Sequence, residues 1–107
     1  MIHLIEDSKA TINLSGILDN SSIDIFDSYI DHNFEDFREI THLTIDFSHV
    51  LFIDSTGIGA ILRAIYMCLE HGCTFGIIGL NDYLQEIFET MGVPRVIDAL
   101  GRGAISD

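Results

Sequence analysis

The stretch from Leu43 to Gly59, LTIDFSHVLFIDSTGIG, limits what this 107-residue chain can fold into more than any other part of it. An apolar run enters the acidic, hydroxyl and glycine corner Asp54-Ser55-Thr56-Gly57, and helical periodicity follows. That order reads as a strand, a tight turn and a helix start, where hydroxyls can cap the first backbone N–H groups. Beyond the corner, Ile58, Ile61, Leu62, Ile65 and Leu69 form one helical stripe. The small residues Gly57, Ala60, Ala64 and Cys68 form a slimmer one, so this helix can lie close to a sheet. Ser55 then sits at the positive end of a packed helix. A phosphate there would add roughly −1.5 to −2 charge at pH 7, where the helix macrodipole and unpaired N–H groups tolerate an anion.

The rest of the chain supplies partners for that unit. His3 to Glu6 and Ala10 to Leu14 read as strands around a turn at Asp7-Ser8-Lys9, and Gly16-Ile17-Leu18-Asp19 ends the second strand. Asn20, Ser21 and Ser22 offer caps for a helix that buries Ile23, Phe26, Ile30, Phe34 and Phe37 and turns Asp24, Asp27, Asp31 and Glu35 to water, fraying beyond His32-Asn33. Leu43 to Phe47 is a strand, Ser48-His49 a turn, and Val50 to Ile53 delivers the chain to Asp54. Thr74 to Leu80 is a further strand, in which Gly76 and Gly79 suggest close backbone approach. Asn81 and Asp82 start a third helix with stripe Leu84, Ile87, Phe88 and Met91 and a capping-box-like spacing from Asp82 to Gln85. Gly92 as a left-handed cap and Pro94 stop it. Arg95 to Ala99 reads as a short edge strand and residues 101–107 as a frayed tail. The order β-β-α-β-α-β-α-β over residues 1–107 predicts one α/β domain, a mixed central β-sheet with helices packed against it.

Composition excludes several functions. An apolar content of 48% fits a buried core, while 17 Asp and Glu against 5 Lys and Arg give a formal charge of −12. Such a field repels phosphate backbones and anionic lipid and favours basic protein patches, so direct nucleic-acid and membrane partners are not expected. The plainer reading is that acidity keeps the domain soluble. The N-terminus lacks a signal-peptide pattern and no apolar run reaches the roughly 18 residues of a membrane helix, which places the expectation in the cytoplasm. Cys68 and Cys73 read as free buried thiols. The five histidines show no ligand spacing, Gly57-Ile58-Gly59 lacks the lysine of a P-loop, and no histidine or cysteine stands in a nucleophile pattern. No metal, no cofactor and no intrinsic catalysis are therefore expected.

Gly16-Ile17-Leu18-Asp19, IDFSHVLFIDSTGIG from Ile45 to Gly59, Gly72-Cys73-Thr74 and Ile87-Phe88-Glu89-Thr90-Met91-Gly92 together resemble the STAS domain, specifically its stand-alone anti-sigma-factor antagonists from bacterial partner-switching systems. The resemblance spans nearly the whole chain. It implies that Ser55 is phosphorylated by an anti-sigma factor that is itself a serine kinase using ATP and magnesium, and that a metal-dependent serine phosphatase reverses this. Unphosphorylated antagonist then binds the anti-sigma factor and frees the sigma factor. The implied interface joins Asp19, Asn20 and Ser21 as a polar flank to Asp54, Thr56, Gly57, Ile58 and Gly59, with Ile58 and Gly59 supplying apolar and close-approach contact.

The residues alone leave other roles open. Ser55 can be an ordinary N-cap, Asp54 and Asp19 can be strand-end or cap residues, and Thr56 offers a second hydroxyl. A STAS subunit bound constitutively to a transporter or a stress-signalling scaffold is the alternative function.

Overall fold

The computed structural model describes residues 2–33, 39–95 and 103–105. It has the expected order: β1 (Ile2–Glu6), β2 (Lys9–Leu18), α1 (Ile23–His32), β3 (His42–Ile53), α2 (Ser55–Glu70), β4 (Thr74–Ile78), α3 (Asp82–Thr90) and β5 (Gly103–Ile105). The strands form one sheet in the order β1-β2-β3-β4-β5. β1 runs antiparallel to β2 and the remaining neighbours are parallel, so the sheet is mixed. The opening hairpin turns on Asp7 and Ser8, both at positive φ, between the paired residues Glu6 and Lys9. Two positive-φ residues match the right-handed twist of the flanking strands.

Alternate residues of the strands enter the core. In β2 these are Ala10, Ile12, Leu14 and Leu18, whereas Lys9, Thr11, Asn13, Ser15 and Ile17 are exposed or half-buried. The helices thus cover one face of the sheet, and α2 supplies both of its stripes to the core: Ile58, Ile61 and Ile65 beside Gly57, Ala60, Ala64 and Cys68. Phe88 of α3 meets Phe47 of β3 edge to face, with ring centroids 5.3 Å apart. Leu84 and Phe88 are fully buried, but Met91, expected on the same stripe, is 45% exposed. The thiols of Cys68 and Cys73 are free and buried, as expected. Burial, and then the neighbouring Cys73, pushes the Cys68 thiol up to about 12. Among the described residues no helix is long and apolar enough to cross a membrane.

Several local expectations are corrected. Ser48-His49 is not a turn: β3 runs unbroken, and its 12 residues pair with the 10 of β2 through two irregularities. One lies between the pairs Asn13↔Asp46 and Ser15↔His49, the other between Gly16↔Val50 and Ile17↔Phe52, each giving β3 an extra residue. The first bulge is held by Asp46, whose Oδ1 accepts from the Ser48 amide at 2.8 Å and the Ser48 hydroxyl at 2.5 Å. Two bulges restore the parity of the strand, so Ile53 faces inward and the consecutive residues Leu51 and Phe52 are left outside.

The N-cap of α3 is Asn81, whose Oδ1 accepts from Leu84 N at 2.8 Å, so the Asp82–Gln85 pair lies one residue late for a capping box. At α1, Ser22 occupies the N-cap but its hydroxyl makes no cap bond; it donates to Ile17 O at 2.7 Å instead. Gly92 takes the expected left-handed φ of +75°. Residues 93–95 are helical, which removes Arg95 from the expected edge strand; at a helix start the missing N–H of Pro94 does no harm. The edge strand is instead β5, inside the segment expected to fray, paired in parallel with β4. Phe34, Glu35, Phe37 and residues 96–99 lie outside the described residues.

Gly79 is the residue that fits β4 against the bulge. Its φ is +78°, and a Cβ there would stand 2.5–2.7 Å from Ser48 Oγ, Asp46 Oδ1 and Ser48 N. Gly72 has φ +79° but open space around it. Gly72→Ala should therefore cost about 1 kcal/mol, the left-handed backbone penalty alone, and Gly79→Ala about 3 kcal/mol. Denaturant unfolding checks this, and equal losses would refute the bulge contact.

Candidate functional site

The candidate site forms where two parallel strands end together. Leu18 pairs with Ile53, and the amide of Asp54 donates to Leu18 O at 3.2 Å, which brings Asp19 and Asp54 to the same end of the sheet. Asp54 leaves β3 in an extended conformation and caps α2, its carboxylate accepting from Gly57 N at 3.0 Å. The N-cap is thus Asp54, and Ser55 is the first helical residue, with an exposed side chain. Gly57 is buried against the neighbouring strand end: a Cβ would lie 2.2 Å from Leu18 O and 2.7 Å from Ile53 Cγ1. Only glycine lets α2 start this close to β2.

Asp19 is tied into its own loop. Its Oδ1 accepts from the Ser21 amide at 2.9 Å and the Ser21 hydroxyl at 2.6 Å, while its amide donates to Ser22 Oγ at 3.0 Å. The Ser21 hydroxyl and amide hold the Asp19 carboxyl below its ordinary value of 3.8, because they bond the charged form. Ser21 and Asn20 are exposed, and neither caps α1. Thr56 and Gly59 are half-buried.

Ile58 departs from its expected role. It is 3% exposed and belongs to the core, so it has no surface to give a partner. Apolar surface at this end of the molecule comes instead from Phe52, 39% exposed, and from α3. There a groove of about 410 Å³ runs between Phe52, Ile53, Asp54 and Ser55 on one side and Tyr83, Glu86, Ile87, Thr90 and Met91 on the other. Ser55 therefore stands on the wall of an apolar groove as well as beside the Asp19 loop.

The family model of the STAS domain matches residues 4–103. The chain belongs to the STAS family. Solved structures share the STAS fold at low identity. A proposed anti-sigma factor antagonist from Thermotoga maritima superposes with a TM-score of 0.80 at 14% identity, over 99% of this chain and 86% of that one. A sulfate transporter family protein from Wolinella succinogenes gives 0.74 at 17%, over 94% and 80%. The Bacillus cell fate determinant SpoIIAA in its phosphorylated form gives 0.65 at 16%, over 97% and 87%.

Within this STAS domain the groove brings Asp54 and Ser55, singled out from the sequence, together with residues that were not. Of the added residues Phe52, Tyr83, Glu86, Thr90 and Met91, Phe52 had a usable signal: Val50 to Ile53 holds four successive apolar residues, more than a strand with one buried face can hide. Two predictions follow from the loop geometry. Asp54→Ala should cost about 1 kcal/mol through the lost cap, and Asp54→Asn should retain most of it; thermal unfolding distinguishes the two. In an NMR titration Asp19 should protonate below 3.8 and move upward in Ser21→Ala. The sign follows from linkage: its bonds contribute fully above the unfolded value and are lost as pH falls through the lower folded one.

Proposed function

We propose that this STAS domain is an anti-sigma-factor antagonist of a bacterial partner-switching pathway, a cytoplasmic substrate and binding module rather than a catalyst. Its unphosphorylated form binds an anti-sigma factor that is also a serine kinase, and the sigma factor is released. Phosphate on Ser55 blocks that binding until a metal-dependent serine phosphatase removes it. The observation that carries the reading is the exposed Ser55 side chain at the first position of α2, directly after a cap that Asp54 provides. The hydroxyl can be modified without dismantling the helix start.

The physics of the modification supports a switch by charge. A phosphate at the first turn of α2 meets the positive end of the helix dipole, so the fold tolerates it. At an interface the same dianion adds to Asp54 and Asp19 and would have to lose its water. Like charges there cost several kcal/mol, which is orders of magnitude in affinity. No large conformational change is needed. SpoIIAA, whose fold this chain shares, has been solved both unphosphorylated and phosphorylated.

A second reading rests on the likeness to a sulfate transporter family protein and to the STAS domain of a SulP transporter from Vibrio cholerae, at TM-scores of 0.74 and 0.68. In that case the domain stays bound to another machine whatever the state of Ser55. Incubation with the cognate anti-sigma kinase and ATP should add one phosphate, at Ser55; a phosphate mapped to Thr56 or elsewhere refutes the assignment. Ser55→Asp should lower affinity for that kinase by at least about a hundredfold, whereas the transporter reading expects little change.

A further inference from the structure

The groove beside Ser55 has a composition that selects its occupant. Its walls offer the apolar surfaces of Phe52, Tyr83, Ile87 and Met91, of which Phe52, Tyr83 and Met91 are 39%, 46% and 45% exposed. Two carboxylates, Asp54 and Glu86, stand among the lining residues, and no lysine or arginine does. Asp82 and Glu89 are exposed on the same helix, in a chain of formal charge −12. A volume of about 410 Å³ lies within the range of about 300–1,000 Å³ in which concave sites seat ligands.

From this we infer that the groove between Ser55 and α3 is the anchoring half of the partner site, and that it takes a basic amphipathic helix of the partner protein. An apolar side chain of that helix seats between Phe52, Tyr83 and Met91, and a neighbouring arginine or lysine meets Glu86 on the α3 wall. This rests on the switch reading given above and adds the partner's chemistry to it. An acidic or uncharged apolar segment fits the same volume but leaves Glu86 facing either like charge or no partner, which costs affinity. Ser55 lies on the wall opposite Glu86. A phosphate there would put a hydrated dianion where the apolar side chain must seat, so loss of the anchor accompanies the charge repulsion.

The test titrates the isotope-labelled full chain with two synthetic amphipathic helical peptides of identical leucine pattern, one carrying arginine and one glutamate on its polar face. The arginine peptide should shift the amide resonances of Phe52, Ser55, Tyr83, Glu86 and Met91, and the glutamate peptide should not. Glu86→Lys and Met91→Gln should each weaken the arginine peptide by about tenfold. Asp24→Lys changes the net charge as much as Glu86→Lys but lies on α1, away from the groove, and should change binding by less than about twofold. Equal loss in the two charge reversals, binding of both peptides alike, shifts confined to other surfaces, or binding of neither peptide overturns the inference. With the cognate kinase as ligand the two readings separate. Lost binding in Ser55→Asp with unaltered binding in Glu86→Lys and Met91→Gln refutes the groove alone, and the reverse pattern refutes the switch alone.

Discussion

The Leu18 carbonyl is the point on which the site depends. It accepts the amide of Asp54 at 3.2 Å and faces Gly57 so closely that a Cβ there would stand 2.2 Å away. One oxygen thus ends β2 and fixes where β3 stops, and it decides how near the first turn of α2 can come. With that distance set, the helical rotation is set too: Gly57, Ile58 and Ala60 turn inward and Ser55 turns out. The two extra residues of β3 are part of the same arrangement. Without the restored parity Ile53 would face solvent, and the chain would enter α2 with the wrong side to the core.

Where burial has a period, the sequence made the structure legible. The hairpin, the three helices, their order among the strands and most of the core follow from periods of 2 and 3.6, because those periods are burial itself written along the chain. Errors gather where a decision belongs to a distant segment. Ser48-His49 breaks the alternation of β3 in the way a turn would, and only continued pairing with β2 makes it a bulge. Asp54 and Ser55 are both good caps, as are Asn81 and Asp82, and backbone geometry chooses the first of each pair. β5 has a glycine-containing sequence with weak strand propensity and forms because β4 offers it a free edge.

The same division holds for the site. Its near wall, Phe52 to Ser55, is contiguous in sequence, so Asp54 and Ser55 could be singled out from residues alone. Its far wall is α3, which is distant in sequence and which Phe88 brings in through Phe47. Ile58 was misplaced for a related reason. It lies close to the hydroxyls in sequence, but each residue along a helix adds a rotation of about 100°, and the two steps from Thr56 carry the side chain into the core.

Asp19 and Asp54 determine where the cost of a charge at Ser55 falls. Each carboxylate is fixed by hydrogen bonds within its own loop, Asp19 by Ser21 and Asp54 by Gly57. Neither is free to swing away from an incoming anion without giving up those bonds. In the free protein, water and salt screen the repulsion strongly, and the N-terminus of α2 opposes it. A docked partner removes the water and part of that screening while the carboxylates stay in place. On the switch reading, the penalty of a phosphate at Ser55 would therefore be small in the free protein and large in a complex. Under the proposed function, that asymmetry would let one hydroxyl govern association without threatening the fold that presents it.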